Sequence, residues 1–303
     1  MREIIQEDPA KVAQLLETTL GTGEYETVCR LGGLTNHTYH VTLKDGKEFV
    51  VRIPGEGTEE MIVRNDEKKS TELACRLGVD APMLYFGEDG SKVTEYIPNA
   101  VTMSADSLKN EEQIHQMAAL FRIIHHCGED TGVPFEVFDM AAGYEAIIEK
   151  CKVSMFPDYK EAKQQVMEIK NEIDRAISAP KVPCHNDPLC ENWVIGNGRM
   201  YLIDWEYAGM NDGMWDVADV SIEAEFGDKE DELLLKAYLE KDPDALDRKH
   251  FLASKIYVDY LWTLWAKARV PYDGQPMEDW ATQRYARMKE NLKKYNTLKE
   301  VTK

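Results

Sequence analysis

The sequence lacks the features that mark several classes of protein. Its 303 residues include six scattered cysteines but no Cys-x-x-Cys pair, a pattern typical of reduced thiols in a cytoplasm. No stretch approaches the roughly 18 apolar residues that cross a bilayer. Residues 1–8 also lack a basic segment followed by an apolar one. We therefore expect a cytoplasmic protein with no export signal and no membrane insertion.

Positive charge is scarce as well. The chain has 36 basic and 55 acidic residues, which gives a formal net charge of −19. Proteins that bind nucleic-acid phosphates or anionic lipid through charge need the opposite balance, so we expect no nucleic-acid partner. The remaining composition, 43% hydrophobic and 30% charged without repeats, is typical of a folded globular protein. Its length allows one large or two small domains.

Hydrophobic periodicity divides the chain into two parts. After a predicted helix at 9–20, alternating segments predict five strands around one helical stretch at 58–77, namely 25–31, 38–43, 49–53, 83–88 and 92–96. Beyond residue 97 the pattern is mostly helical, with one β-hairpin at 193–203. We therefore predict an α+β protein. Residues 1–97 form a five-stranded antiparallel sheet plus a helix, and residues 98–303 form a mostly helical domain.

The residues around this hairpin are suited to phosphoryl transfer. Asp187 and Asn192 lie five positions apart in the loop before the hairpin, and Asp204 follows its second strand. Because the two strands run antiparallel, they return Asp204 to the neighbourhood of Asn192. Phosphoryl transfer needs a carboxylate near the attacking hydroxyl, and an amide and a second carboxylate to hold Mg²⁺.

With His185, these residues resemble the catalytic loop of protein-kinase-like phosphotransferases that act on small molecules, the superfamily of aminoglycoside phosphotransferases and choline kinases. The resemblance implies a two-lobed protein-kinase-like fold that binds ATP. It also implies that Asp187 is the catalytic aspartate and that Asn192 and Asp204 are Mg²⁺ ligands. Glu206, two residues after Asp204, is expected either to reach the metal or to form a structural salt bridge.

The first domain carries residues that fit the nucleotide in this resemblance. The turn that contains Gly33 and Asn36 lies between the first two strands, where backbone N–H groups can approach phosphate oxygens. Arg52 ends the third strand, where the superfamily places a basic residue that contacts phosphate. Glu67 on the following helix is expected to orient Arg52, with Glu72 as the alternative.

The segment that connects the two domains is the expected adenine site. In these enzymes, adenine is bound by the backbone of this connection, to which Glu95 and Ile97 correspond by position. Backbone recognition leaves little trace in side chains, so this expectation rests on position alone.

Two tryptophans bear on the choice of substrate. Trp262 and Trp265 lie three residues apart on one face of a predicted helix, a pattern that core packing also produces. The segment resembles the C-terminal helix of choline kinases, whose paired tryptophans help to enclose the trimethylammonium group of choline. A quaternary ammonium has no N–H to donate, so aromatic faces and negative charge recognise it. Glu223 lies where choline kinases have an acidic residue near the substrate, and three aromatic residues are possible further walls: Tyr207, Trp280 and Tyr285.

The expected activity is therefore that of an ATP-dependent choline kinase of the bacterial type, which makes phosphocholine with Mg²⁺ bound. The alternatives are a kinase of another small alcohol, such as ethanolamine, thiamine or an aminoglycoside, and a catalytically silent protein that binds nucleotide or choline. Asp216 and Asp219 resemble structural acidic positions of the family and receive no chemical role. The sequence does not indicate an oligomeric state.

Overall fold

The computed structural model describes residues 8–32, 36–55 and 62–301, with the side chains of residues 32 and 299–301 excepted. Gly33 lies outside the described residues. The helices are α1 Asp8–Leu20, α2 Arg64–Arg76, α3 Ala105–Leu108, α4 Glu111–His125, α5 Val137–Lys150, α6 Tyr159–Ala176, α7 Met214–Glu223, α8 Asp228–Leu239, α9 Ala245–Asp273 and α10 Gln275–Val301. The strands are β1 Thr27–Gly32, β2 Asn36–Thr42, β3 Glu48–Pro54, β4 Met83–Phe86, β5 Lys92–Glu95, β6 Val101–Thr102, β7 Lys181–Cys184, β8 Trp193–Gly196, β9 Arg199–Leu202 and β10 Gly209–Asp212.

The first five strands form one antiparallel sheet in the order β1-β2-β3-β5-β4. The turn between β2 and β3 contains Gly46 with a φ of 84°, a conformation that glycine adopts without steric cost. One face of α1 packs Val12 and Leu16 against Tyr39 and Val51 of the sheet, all fully buried. The predicted sheet and its opening helix are thus confirmed.

Helix α2 places a polar face against the sheet. Its first turn contains Asp66 and Glu67, which suit the positive end of the helix dipole. Glu67, Thr71 and Ala74 are buried along one side of the helix. The predicted helical stretch began at residue 58, but residues 56–61 lie outside the described part of the chain, and the described helix begins at Arg64.

The contacts divide the chain into two compact units. The first contains the chain up to Ser104, Glu129–Val133 and Cys190–Gly209, and the second contains the remainder. The β8–β9 hairpin belongs to the first unit because β6 pairs with β8 and the N–H of Leu202 donates to the carbonyl of Val79 at 3.1 Å. The sequence had assigned this hairpin to the C-terminal domain, and a domain boundary after residue 97 remains a prediction.

The second unit is mostly helical, as predicted, but it contains four elements that the sequence did not predict: α3, β7, β10 and α7. Strands β7 and β10 pair with each other in a two-stranded sheet. Helix α7 is buried on every side from Met214 to Ile222. A helix buried all round has no solvent-exposed face, so its sequence lacks the broad polar stripe that reveals a surface helix.

Two further observations concern the whole described chain. All six cysteines are free thiols, two of them buried and two exposed. Within the described ranges, no helix combines the length and the apolar character that crossing a membrane requires.

Candidate active site

In the first unit, the side chain of Arg52 lies at the centre of a buried cluster of charges. Arg52 is 4% exposed and projects from β3. Its Nη2 lies 2.5 Å from Oε1 of Glu67 and donates to the carbonyl of Gly90 at 2.8 Å, while its Nη1 lies 3.4 Å from Oδ1 of Asp204. Burial alone lowers the pKa of Arg52, but the charges of Glu67 and Asp204 reverse this effect and hold it above its usual value. The site therefore keeps a permanent positive charge.

A second arginine shares the carboxylate of Glu67. Arg64, three residues earlier on α2, donates from Nη1 to Oε2 of Glu67 at 2.8 Å. Glu72, the alternative partner considered from the sequence, has a side chain that is 54% exposed and lies 4.0 Å from Lys68. The geometry thus brings Glu67, and not Glu72, to Arg52.

Two acids lie beside this arginine pair. Glu206 accepts a hydrogen bond at 3.1 Å from Nδ2 of Asn36, and its Oε2 lies 3.8 Å from Nη1 of Arg64. Burial, with the charge of Asp204 as the next cause, raises the pKa of Glu206 to about 7. Glu206 therefore forms the structural salt bridge that was one of its two expected roles.

The hairpin brings Asn192 and Asp204 to the same end of its strands. Trp193 pairs with Leu202, and the N–H of Ile203 donates to the carbonyl of Asn192 at 2.9 Å. Asp204 has a left-handed φ of 69° and a side chain that is 37% exposed. A non-glycine residue held in this region carries strain, which clusters at functional sites. Carboxylate and amide oxygens are the ligands that Mg²⁺ prefers, so this donor set fits the ion.

The expected adenine segment packs closely on the turn of the same hairpin. A Cβ on Gly196 would collide with the side chain of Ile97 and approach the carbonyl of Pro98 at 2.8 Å. The amide of Asn99 donates to the side chain of Asn197 at 3.1 Å. Glu95 is exposed, and its backbone N–H donates to the carbonyl oxygen of Pro82 at 2.9 Å. The carbonyl of Glu95 is therefore the backbone group that this bond does not occupy. Backbone packing therefore fixes the course of residues 95–99.

In the second unit, a buried aspartate holds the loop that carries Asp187. The two oxygens of Asp216 accept the backbone N–H groups of His185 and Asn186, each at 2.7 Å. Nε2 of His125 lies 3.0 Å from the same carboxylate. Asp216 is completely buried and satisfied by these contacts. It fixes the backbone immediately before Asp187.

The conformation of Asn186 completes this loop. Its φ of 65° is left-handed, its side chain accepts from Asn211 at 3.0 Å, and its carbonyl accepts from the indole of Trp215 at 3.0 Å. Nδ1 of His185 accepts the N–H of Asp187 at 3.3 Å. Asp187 itself is half-buried. The loop is therefore rigid up to the residue whose carboxylate is expected to act.

The tryptophans of α9 belong to a larger aromatic cluster. The rings of Trp262 and Trp265 are perpendicular at 6.1 Å, and Trp265 is perpendicular to Trp280 of α10 at 5.7 Å. The guanidinium of Arg284 lies over the Trp280 ring at 4.1 Å and forms an ion pair with Glu223. Trp262 is 4% exposed and Trp265 is half-buried. Tyr285 stacks instead on Phe156 at 4.0 Å, which is a packing contact.

Two of these contributors, Arg64 and Arg284, were not expected from the sequence. Asp216 was expected as a structural acid, and its bonds to the loop agree with that role. The spacing of Arg64 and Glu67, three residues apart at a helix start, was a usable signal for the first. Nothing in the sequence pointed to Arg284, because its partner Glu223 lies 61 residues away on another helix.

Comparisons with known proteins identify a family for this chain. The model of the choline/ethanolamine kinase family matches residues 28–296. A choline/ethanolamine kinase family protein from Mesorhizobium loti is 31% identical, with a TM-score of 0.82 over 94% of each chain. The choline kinase LicA from Streptococcus pneumoniae is 29% identical, with a TM-score of 0.80 over 96% of this chain and 100% of that chain. LicA in complex with AMP is 29% identical, with a TM-score of 0.76 over 94% of this chain and 98% of that chain. The predicted fold class is confirmed.

Proposed function

The chain belongs to the choline/ethanolamine kinase family, whose members are small-molecule phosphotransferases, and we propose that it is an ATP-dependent choline kinase that works in the cytoplasm. The reaction transfers the γ-phosphoryl group of ATP to the hydroxyl oxygen of choline and yields phosphocholine and ADP. The packing of Trp262, Trp265 and Trp280 into one cluster is the observation that carries the choice of choline. The similarity to a LicA structure that holds AMP supports a nucleotide as the other substrate.

The first unit supplies the nucleotide site in this proposal. Arg52, held by Glu67, places its charge on the outer phosphates, and a fixed guanidinium fork suits phosphate oxygens. Asn36, the first residue of β2, is proposed to lie beside the phosphates. Adenine is expected to bind the backbone near Glu95 and Ile97, a segment that packs closely on Gly196.

Asn192 and Asp204 are the proposed ligands of Mg²⁺. The ion, when bound, neutralises the phosphate charge that develops during transfer. The hairpin positions the two ligands. The backbone hydrogen bond from the N–H of Ile203 to the carbonyl of Asn192 holds Asn192 and Asp204 at the same end of the hairpin before any ion binds. Glu206 keeps Asn36 and Arg64 in place beside them.

Asp187 is the proposed catalytic residue. Its carboxylate accepts the hydrogen bond of the choline hydroxyl and receives the proton as the new oxygen–phosphorus bond forms. Holding the hydroxyl in line with the phosphorus atom contributes much of the acceleration, so the rigidity of the loop has catalytic value. The two backbone bonds to Asp216 provide that rigidity.

The head group of choline is proposed to lie against Trp262 and Trp265, with Glu223 nearby. Each cation–π contact with a desolvated ammonium contributes roughly 0.5 to 2 kcal/mol. Glu223 acts through Arg284, which lies against Trp280 and so fixes the cluster. Ethanolamine, in contrast, carries N–H groups that need hydrogen-bond acceptors, which indole rings do not offer.

A transfer assay on a panel of alcohols tests this proposal. Purified full-length protein is incubated with Mg²⁺ and ATP labelled in the γ-phosphate, and label is followed into choline, ethanolamine, thiamine and an aminoglycoside. We expect choline to have the highest kcat/KM. Asp187→Asn should lower kcat by at least about 100-fold with the fold intact, and Asp204→Ala should weaken the binding of Mg-nucleotide. Transfer to another alcohol in preference to choline would overturn the proposal.

A further inference from the structure

One face of α7 carries three acidic residues, which the structure treats differently. Asp216, Asp219 and Glu223 are spaced by three and four residues, so they lie on the same side of the helix. Asp216 accepts two backbone N–H groups of the catalytic loop. Glu223 is paired with Arg284. The first and last acids of this face therefore have partners that satisfy their charge.

Asp219, the middle residue, has no such partner. Its side chain is 1% exposed, and among the described residues neither of its two oxygens has a hydrogen-bond partner. Burial, followed by the charge of Glu223, raises the pKa of Asp219 well above its usual value, while Arg284 acts in the opposite direction. A buried carboxylate without a donor is costly and needs an explanation.

The surroundings of Asp219 suggest what compensates it. On one side along the helix, Asp216 holds the loop of Asp187, whose charge also acts on Asp219. On the other side, Glu223 leads through Arg284 to the ring of Trp280. Asp219 thus lies between the proposed catalytic residue and the aromatic cluster proposed for the substrate's head group.

The charge of Asp219 calls for a positively charged partner, and the surroundings indicate which kind of cation it is. A primary ammonium or a guanidinium would be matched by hydrogen-bond acceptors, as Arg284 is by Glu223 and Asp259. A quaternary ammonium carries positive charge but no N–H group, so it needs an opposite charge and no hydrogen bond. The two unpartnered oxygens of Asp219 fit a cation of either kind, and the neighbouring rings of Trp262, Trp265 and Trp280 are what favour the quaternary one. The charge of Glu223, the acid expected from the sequence, is already balanced by Arg284.

We propose that Asp219 determines specificity by supplying the negative charge that attracts the quaternary ammonium group of the substrate. This inference rests on the proposed choline kinase function. It assigns the electrostatic role to Asp219 and leaves Glu223 to hold Arg284 and the aromatic cluster.

The test compares a cation with an uncharged substrate of the same shape. Wild-type protein and Asp219→Asn are assayed with choline and with 3,3-dimethylbutan-1-ol, in which carbon replaces the nitrogen. The variant should lower kcat/KM for choline at least about 10-fold, through KM, and leave kcat/KM for the neutral alcohol and KM for ATP unchanged. It should melt no lower than the wild type, because asparagine removes a buried charge.

A matched control is available in Asp80→Asn. Asp80 is also a buried aspartate with one unpartnered oxygen among the described residues, and burial raises its pKa to about 6, but it belongs to the first unit. Any effect of this variant on ATP acts equally on both alcohols, so the ratio of choline to neutral alcohol should stay at its wild-type value. If Asp219→Asn does not fold, Asp219→Ser is measured in the same assays.

Two outcomes separate this inference from the proposed function. If wild-type protein phosphorylates choline but the ratio of choline to neutral alcohol is the same in Asp219→Asn, the role of Asp219 is wrong and the kinase function stands. If wild-type protein does not phosphorylate choline, the proposed function fails before any variant is measured. Inhibition by tetramethylammonium adds a readout of binding alone, and we expect Asp219→Asn to weaken it at least about 10-fold.

Discussion

Glu67 and Arg52 form an ion pair at 2.5 Å, and both side chains are buried. Glu67 also accepts a hydrogen bond from Arg64, so a single carboxylate holds two arginines, of which Arg52 lies next to Asp204 and Arg64 next to Glu206. Loss of one partner from a buried pair leaves the other charge uncompensated, which costs about 3–5 kcal/mol. The orientation of Arg52 therefore depends on Glu67.

Glu67→Gln should impair the nucleotide site and the stability of the protein together. We expect KM for ATP to rise about 10-fold or more, with a lowered melting temperature and an unchanged preference among alcohols. Steady-state kinetics and thermal melts check this. Glu72→Gln is the matched control, because Glu72 is on the same helix but exposed, and it should behave as the wild type. Equal effects from the two variants would contradict the role of Glu67.

How much of this site the sequence predicted depends on the distance between partners along the chain. Asn192 and Asp204 are joined by one short hairpin, so their neighbourhood followed from local pattern and the backbone bond at Ile203 shows it. The sequence left both Glu67 and Glu72 as candidate partners of Arg52, because helical periodicity alone does not say which residue faces the strand. The pairing of Glu223 with Arg284 depends on how two distant helices pack, which no local pattern specifies.

Helix α7 shows the corresponding limit for the fold. Amphipathic helices such as α4 and α6 were predicted within a few residues because one of their faces is polar. Residues 214–222 of α7 are all buried, including Asp216 and Asp219. Because buried acids interrupt the apolar pattern expected of an interior helix, the sequence did not predict a helix here. Their roles could therefore not be read before the helix was placed.

Asp216→Asn should reduce turnover by loosening the loop of Asp187. The amide of asparagine offers one acceptor where Asp216 offers two, so one N–H of His185 or Asn186 is left buried and unsatisfied at a cost of about 1–3 kcal/mol. We expect a fall in kcat of about 100-fold together with a lower melting temperature. Asp187→Asn should match the loss of kcat without the loss of stability. A melting temperature equal to that of the wild type in Asp216→Asn would argue against the role of Asp216 in holding this loop.

Gly196→Ala should disturb the segment proposed to bind adenine. The added methyl group would collide with Ile97 and approach the carbonyl of Pro98 at 2.8 Å, and overpacking of this kind costs about 1–3 kcal/mol. A raised KM for ATP and a lower melting temperature are the expected results. Gly143→Ala is the control, since a Cβ on this helical glycine has no neighbour within 4 Å and should leave the protein as stable or slightly more stable. Unchanged ATP binding in Gly196→Ala would be evidence against this position for the nucleotide.

Asp219 should also make stability depend on pH. Its pKa is raised in the folded state by burial and by Glu223, whereas in the unfolded chain it titrates near about 4. An aspartate with a raised folded pKa stabilises the fold while it is protonated, and this contribution is lost as pH rises from about 4 towards the folded pKa. Asparagine cannot ionise, so the melting temperature of Asp219→Asn minus that of the wild type should grow between about pH 4 and pH 8. Asp106→Asn, at a residue that is 98% exposed, should show no comparable trend, and a pH-independent difference for Asp219→Asn would refute the assignment.

Variants of Trp262 and Trp265 should distinguish a role in core packing from a role in binding choline. Trp262 is 4% exposed, so Trp262→Ala should cost about 3–5 kcal/mol of stability, as large truncations in a core do. Trp265 is half-buried, and Trp265→Leu keeps apolar bulk but removes the aromatic face. We expect this variant to fold and to raise KM for choline about 10-fold, the effect of losing one desolvated cation–π contact.

The neutral alcohol decides whether the Trp265 ring recognises charge or shape. If the ring faces a cation, Trp265→Leu should change KM for choline and leave KM for 3,3-dimethylbutan-1-ol almost unchanged, since an uncharged tert-butyl group gains nothing from the ring quadrupole. Trp265→Phe should recover part of the preference because it restores an aromatic face. Equal losses on both alcohols would mean that Trp265 acts through shape and through its packing on Trp280, and the choice of choline would then rest on charge alone.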